Sequence, residues 1–189
     1  MRVLFSSLLL IFCINVFAQN NARFPILDKS PMDMSYYPAN YPVIKIQPNK
    51  KPEPLIARVI YSRPQKQGRK VFEELVEKGK IWRLGANEAT EIEFFRDVKV
   101  GSKKIKKGRY TLYAIENEES WTMILNSELD VWGAFKYDKS KDILRFDCPI
   151  VRTEEITEAF SMVFEKVSDT GFCLLMAWDN VQVSLPFSL

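Results

Sequence analysis

The chain contains no histidine among its 189 residues. Imidazole is the common proton acceptor near neutral pH and a frequent ligand of zinc and copper. Its absence excludes Ser-His-Asp and Cys-His catalysis, together with metal sites that depend on histidine. The catalytic routes that remain use paired carboxylates, a lysine or tyrosine base, or an oxygen-ligated metal.

Cysteine and glycine are also scarce, with three cysteines and seven glycines in the chain. Cys13 lies in the N-terminal apolar stretch, so only Cys148 and Cys173 remain beyond it. Two thiols cannot build a four-thiolate zinc or iron–sulfur site. No glycine-rich loop of the P-loop or dinucleotide-binding type is present. We therefore expect no cofactor and no metal site.

Cys148 and Cys173 both lie in predicted strands. If those strands are neighbours, a disulfide would close a loop of moderate length and stabilise the fold by about 3 kcal/mol. Otherwise the two residues are buried thiols that pack as small apolar side chains. Both alternatives stay open, because one sequence does not fix the order of the strands.

Long apolar runs occur only at the N-terminus. Arg2 precedes an apolar run from Leu8 to Ile14, and Val16-Phe17-Ala18 stands before Gln19. This order is typical of a secretory signal peptide, here residues 1–18. No later run is long enough to span a bilayer. We therefore expect an exported protein, periplasmic or extracellular, that is soluble and has no transmembrane anchor in its mature form.

An excess of one charge is missing as well. The chain has 27 Lys and Arg residues against 24 Asp and Glu residues, for a formal net charge of +3. Nucleic-acid-binding domains are usually far more basic, with the positive charge clustered on one face. Nucleic acid is therefore not an expected partner.

Two regions follow the predicted signal peptide. Residues 19–54 are rich in proline and lack hydrophobic periodicity, yet "PMDMSYYPANYP" is too apolar for a free linker. We expect this segment to be extended and to pack on the domain, covering an edge of a sheet. The remaining residues, 55–189, are long enough to form one domain with a core of its own.

The pattern within residues 55–189 is mostly that of strands. Alternation of apolar and polar residues predicts strands such as Leu55–Ser62 and "TEIEFFRDVKV", whereas "RKVFEELVEKG" has helical spacing and predicts one short helix of about two turns. Eight or nine strands joined by short turns are typical of an all-β fold. We expect an antiparallel β-sandwich with jelly-roll or Ig-like layering.

One short segment, "KIWRLGANEATEI" from Lys80 to Ile92, differs from the strands around it. Trp82 offers a broad apolar plane, Arg83 a planar set of donors, and Asn87 both a donor and an acceptor. These side chains could hold a ligand that carries an amide, a carboxylate or a sugar. Alternatively, Arg83 and Glu88 pair internally and the segment is a constrained corner of the scaffold.

Six stretches of the chain, taken in order, are "YSRPQKQGRKVF", "GKIWRLGANEATEIEF", "GRYTLYAI", "WTMILN", "WGAFKYD" and "KDILRF". Together they resemble a family of exported bacterial proteins known as domain of unknown function 2911. The resemblance implies export and a mostly β fold, and it implies no activity. The polar or glycine positions shared with the family are Tyr61, Arg63, Arg69, Trp82, Arg83, Asn87, Glu88, Asn126, Trp132, Gly133, Tyr137 and Asp138.

These observations predict a binding or interaction module of the bacterial cell envelope. Its partner would be a small ligand or an envelope component, held by Trp82, Arg83, Asn87 and Glu88. Trp132, Tyr137 and Asp138 are the further candidates for this site. The alternatives are a carboxylate-dependent envelope hydrolase acting on glycans, with Glu88 or Asp138 as the acid–base group, and a purely structural envelope protein.

Overall fold

A computed structural model describes residues 24–189. The predicted signal peptide, residues 1–18, lies outside the described residues. Ten strands and three short helical segments occur in the described part of the chain. In chain order they are β1 (Met32–Tyr37), α1 (Tyr41–Lys45), β2 (Ala57–Ser62), a π-helix (Val71–Leu75), β3 (Ile81–Trp82), β4 (Glu91–Phe94), β5 (Val98–Val100), β6 (Lys103–Ile105), β7 (Gly108–Glu116), β8 (Ser120–Asn126), a 3-10 helix (Lys139–Lys141), β9 (Asp142–Lys166) and β10 (Gly171–Ser188).

All strand pairs are antiparallel, and the strands follow one another in the order β1-β2-β4-β7-β8-β9-β10-β5-β6, with β3 paired to β7. The first part of β9 pairs with β8, and the rest of β9 pairs with β10. Strand β9 therefore carries the sheet from one layer of the sandwich into the other. The predicted all-β sandwich with a short helix is confirmed.

The two layers meet through β1 and β2 on one side and the second half of β9 on the other. The Tyr61 hydroxyl donates to the carbonyl oxygen of Met162 at 3.2 Å and accepts from its amide at 2.9 Å. The Phe164 amide donates to Ser35 Oγ at 3.1 Å. Between the layers lies a large aromatic core that includes Trp121, Trp178, Phe94, Phe160 and Phe172.

The proline-rich segment contributes structure of its own. Residues 32–37 form β1, which pairs with β2 over six residues from Met32 to Tyr37. Residues 41–45 form the single turn of α1, where Pro42 is favourable because the first helical positions need no amide donor. Strand β1 is an edge strand, so it satisfies the backbone groups of β2 that would otherwise face solvent.

The predicted two-turn helix is a π-helix of only five residues, Val71–Leu75, between two residues in extended conformation. Val71 is fully buried and Phe72 packs on the core, so two apolar side chains fix this turn against the sandwich. A single π-turn of this kind is rare and frequently occurs beside functional sites.

Cys148 and Cys173 are separate buried thiols and form no disulfide. Cys148 lies opposite Trp121 of β8, near the start of β9. Cys173 lies opposite Glu165, near the far end of β9. The two strands are neighbours, but their antiparallel register places Ile150, close to Cys148, opposite Val183, which is far along β10 from Cys173. Burial raises the pKa of the Cys148 thiol to about 12 and also raises that of Cys173.

Within residues 24–189, no helix has both the length and the apolar character needed to cross a membrane.

Candidate functional site

The segment between β3 and β4 is an irregular loop with an unusual backbone. Leu84 and Asn87 have φ values of 54° and 60°, in the left-handed region, and Gly85 has a φ of 150°. Two carbonyl oxygens of the loop accept hydrogen bonds from protein hydroxyls. Thr90 Oγ1 donates to Leu84 O at 2.5 Å, and Ser62 Oγ, at the end of β2, donates to Ala86 O at 2.5 Å. The backbone of this segment is therefore held in a constrained conformation.

Gly85 is required at the point where this loop approaches β2 most closely. A Cβ atom at this position would lie 3.1 Å from the carbonyl oxygen of Ser62. The positive φ adds a second reason, since L side chains rarely adopt that conformation. Glycine thus allows the loop to pack directly on the sheet.

Trp82 belongs to the core and is only 7% exposed. Its ring meets Trp121 edge-on at 5.3 Å between centroids and stacks on Trp178 at 6.0 Å. Its indole Nε1 donates to Gly85 O at 3.4 Å, which ties the ring to the loop. Trp82 is therefore a scaffold residue whose remaining exposed edge lines a cavity.

That cavity, which we call the Arg83 cavity, has a volume of about 370 Å³. Its lining combines cationic, amide, hydroxyl and aromatic groups and contains no carboxylate. The lining residues are Lys29, Ser30, Pro64, Gln65, Gln67, Arg69, Leu75, Trp82, Arg83, Gly85, Ala86 and Trp178. A volume of this size is within the range of small-molecule sites.

Arg83 is the unusual member of this lining. Its Nε atom is buried and has no hydrogen-bond partner within residues 24–189. No carboxylate of the described chain lies within ion-pair distance of Arg83. The internal Arg83–Glu88 pair that the sequence offered as an alternative to a ligand site therefore does not form. Burial without a compensating anion lowers the pKa of Arg83 below its ordinary value.

The other predicted site residues lie on a different surface. The Gly133 amide donates to Asn87 O at 2.9 Å, and Glu88 forms a β-bridge with Trp132. Trp132 is 61% exposed and Glu88 is also exposed. A second cavity of about 370 Å³ lies here, lined by Tyr113, Asp130, Val131, Trp132, Gly133, Phe135, Lys136 and Tyr137. The structure thus separates Arg83 from Trp132 and Tyr137, because the loop between β3 and β4 presents side chains to two sides.

Tyr137 and Asp138 are occupied by internal bonds. The Tyr137 hydroxyl donates to Asp142 Oδ2 at 2.5 Å and accepts from Arg145 at 2.6 Å. Burial, followed by the bond to Asp142, raises the pKa of Tyr137 to about 12. The Asp138 carboxylate accepts from the hydroxyl and the amide of Ser140, which lowers the pKa of Asp138. Asp138 caps the 3-10 helix and is not poised as an acid.

Most of the other positions shared with the family also have internal partners. Tyr61 bonds to the Met162 backbone, and Asn126 donates to Asp138 O and to Asp142 Oδ1. Arg63 pairs with Asp33 at 3.0 Å. Arg69 donates to two backbone carbonyls, at Gln65 and Lys66, and forms no ion pair in the described chain. The polar positions shared with the family are therefore held by separate internal bonds and do not form one site.

Sequence reasoning missed a third cavity, of about 380 Å³, at the end of β7. Glu116 lines it with only 7% of its surface exposed, and the carboxylate atom Oε2 has no partner in the described residues. Burial raises the pKa of Glu116. The only signal in the sequence is the glutamate at the end of the apolar strand "YTLYAIE". A glutamate at this position usually indicates the start of a polar turn, so it does not predict a buried carboxylate.

Among residues 24–189, no group of three or more histidine, cysteine, aspartate or glutamate side chains could hold a metal ion.

The fold and its cavities define an antiparallel β-sandwich protein with cavities of the size that small molecules occupy. The chain belongs to the family described as "Protein of unknown function (DUF2911)", whose model matches residues 49–187. No curated protein and no solved structure matches the chain.

Proposed function

We propose that this protein is an exported binding module of the bacterial cell envelope, and that its ligand places an anionic group against Arg83. The observation that supports it most is the half-buried Arg83 side chain, whose Nε atom is buried and has no partner within residues 24–189. Partial burial of a cation without a counter-charge is unfavourable. A carboxylate or a phosphate can accept two parallel hydrogen bonds from the planar guanidinium and offset this cost.

The charge of the lining also favours an anion. Lys29, Arg69 and Arg83 all line the cavity, and neither aspartate nor glutamate does. Gln65 and Gln67 add amide groups that can donate to or accept from the rest of a polar ligand. The expected ligand is therefore a small polar molecule that carries a carboxylate or a phosphate.

Two sequence features support export. Residues 1–18 have the order of a secretory signal peptide, and the family resemblance implies an exported protein. Intact-mass measurement on protein secreted by a bacterial host is expected to give a chain that starts at Gln19. A secreted or periplasmic form that keeps residues 1–18 would contradict the cleavage, and a protein found in the cytoplasm would contradict export.

Binding is supported better than the two alternatives. The hydrolase would need two free carboxylates in one cleft, but Glu88 is exposed on another surface and Asp138 caps a helix. In the third cavity, the carboxylates other than Glu116 are paired with lysines. A purely structural role would be supported by an internally paired Arg83, and that residue has no ion pair within residues 24–189.

The test compares the mature protein with Arg83→Met, which keeps an apolar stem but removes the charge. Thermal unfolding and calorimetric titration would be run with inorganic phosphate, citrate and glucuronate, each at constant ionic strength. At least one of these anions is expected to stabilise the mature protein, and Arg83→Met is expected to reduce its affinity at least tenfold. The matched control is Arg96→Ala, which removes an exposed arginine outside the cavity.

The ligand-free proteins give a second measurement. If Arg83 serves a ligand, Arg83→Met should be at least as stable as the unmodified protein, because a half-buried charge without an ion pair has been removed. A large loss of stability in Arg83→Met, or equal anion binding by both proteins, would contradict the proposal.

A further inference from the structure

Glu116 stands directly opposite Trp121 in the pairing of β7 with β8. Both residues are buried, and both carry a polar atom without a partner in the described chain: Oε2 of Glu116 and Nε1 of Trp121. Residues opposite each other in an antiparallel pair project to the same face of the sheet. Two buried polar atoms on one face are therefore left without protein partners, which is uncommon in folded proteins.

Glu116 lines the third cavity, which we call the Glu116 cavity. The other side chains that line it and bear on the argument are those of Phe72, Lys78, Arg152, Asp179 and Asn180. None of the residues lining the Glu116 cavity lines the Arg83 cavity. The π-helix forms one wall of the Glu116 cavity, and Phe72 in that wall also packs on Trp121 at 5.8 Å between ring centroids.

Most of the charges around this cavity are already paired. Lys78 pairs with Glu118 at 3.1 Å, and Asp179 pairs with Lys66 at 2.5 Å. Lys70, which also lines the cavity, pairs with Glu73 at 3.0 Å. Among the lining residues that the structure describes, Glu116 and Arg152 are the charged groups left without an ion pair.

The two charged groups without an ion pair, Glu116 and Arg152, restrict which ligands the Glu116 cavity could bind. A simple anion would satisfy Arg152 but would be repelled by Glu116, and a simple cation would have the opposite difficulty. A hydroxyl group can donate to the Glu116 carboxyl and accept from Arg152 or Asn180. The Phe72 ring adds an apolar plane of the kind that packs against the C–H face of a sugar.

We propose that the Glu116 cavity binds a neutral polyhydroxylated ligand, a mono- or disaccharide, through hydroxyl groups bonded to Glu116 and Arg152 above the Phe72 ring. This site is independent of the anion site proposed at Arg83. The raised pKa of Glu116 agrees with it, because a carboxyl group that is easily protonated can both donate to and accept from hydroxyls.

The test is saturation-transfer NMR and calorimetric titration of the mature protein with glucose, N-acetylglucosamine and cellobiose. Glycine serves as a zwitterionic probe and inorganic phosphate as an anionic probe. At least one saccharide is expected to bind, and both Glu116→Leu, which removes both carboxyl oxygens, and Arg152→Ala are expected to weaken it at least tenfold. Arg152 is exposed, so its substitution tests the site without disturbing the core.

Two control variants show whether a saccharide binds at the Glu116 cavity or elsewhere on the protein. Glu77→Gln, on an exposed residue outside the cavity, is expected to leave saccharide binding unchanged. Arg83→Met is also expected to leave it unchanged, whereas loss of binding in that variant would assign the saccharide to the Arg83 cavity. The proposal is overturned by binding that survives both Glu116→Leu and Arg152→Ala, by binding of glycine or phosphate at this cavity in place of a saccharide, or by no saccharide binding at all.

Discussion

At the scale of the residue, two tryptophans that the sequence analysis assigns to one site have opposite roles. Trp82 lies among Trp121, Trp178 and Phe160, with ring centroids 5.1 to 6.0 Å away, and is 7% exposed. Trp132 is 61% exposed and borders a surface cavity. Removing the first ring would create a cavity in the core, whereas removing the second would remove only a surface contact.

The first prediction compares these two residues. Trp82→Ala is expected to lower the free energy of unfolding by about 3–5 kcal/mol, the range for large-to-small changes of buried aromatic side chains. Trp132→Ala is expected to change it by less than about 0.5 kcal/mol. Urea unfolding followed by circular dichroism measures both values. Equal stability losses in the two variants would contradict the assignment of Trp82 to the scaffold.

The candidate site could be predicted from the sequence only in part. "WRLGANEAT" is conspicuous because glycine and polar residues interrupt the strand pattern, and this located the loop that carries Arg83. The direction of each side chain could not be predicted, because the left-handed residues Leu84 and Asn87 break any simple alternation. Glu116 was missed because its importance comes from burial and the missing partner, and neither property is visible in the sequence.

At the scale of the element, β1 links the proline-rich segment to the sandwich. It pairs with β2 through six residues, and the Tyr37 ring at its end stacks on Phe172 at 4.2 Å between centroids. Its neighbour β2 is buried along most of its length. Without β1, an apolar strand would become an unpaired edge, which favours association between chains.

The second prediction removes this strand. A chain that starts at residue 38 is expected to be less stable by several kcal/mol than a chain that starts at residue 30, because it loses a row of ladder bonds and the buried Tyr37 ring. It is also expected to form dimers or larger species through the exposed edge of β2. Thermal unfolding and light scattering measure the two effects. A monomeric chain of unchanged stability would show that β1 is dispensable.

The strand pattern of the sequence predicted the class of fold and most strand positions, but it did not predict how strands join. "ILRFDC" and "AFSMVFEKV" are two parts of the single strand β9. The residues between them, 149–158, are mostly exposed and so lack alternation, although several are β-branched and suit an extended chain. The helix in "RKVFEELVEKG" was predicted, but its π form and its length of five residues were not. Two apolar side chains that pack on the core fix this turn, and helical propensity does not.

At the scale of the whole molecule, the sandwich gives up some stability at the Arg83 cavity and the Glu116 cavity. Most charged side chains of the described chain are solvated or paired, but Glu116 is buried and Arg83 is half-buried, and each has a buried atom without a partner. Such groups lower the stability of the unliganded fold and are a common cost of keeping a site ready for a ligand. Because Glu116 is titratable, its cost depends on pH.

The third prediction concerns this pH dependence. Burial raises the folded-state pKa of Glu116 above its ordinary value of 4.5, and Glu118 raises it further while Lys78 and Arg152 lower it. A raised pKa means that the folded chain holds the proton more tightly than the unfolded chain. The contribution of Glu116 to stability is therefore fully present below about pH 4.5 and is lost as the pH rises through the folded-state pKa.

Glu116→Gln removes this titration with almost no change in shape. At pH 7 the variant is expected to be more stable than the unmodified protein by about 1 kcal/mol, or about 2–4 °C in melting temperature for a chain of this size. The difference should shrink towards zero as the pH falls to about 3.5, where the glutamate is protonated in both states. The exposed Glu77→Gln control should show no such trend. The stability difference between Glu116→Gln and the unmodified protein could instead stay constant from pH 3.5 to pH 7. That result would show that the environment of the Glu116 carboxyl does not resist its ionisation.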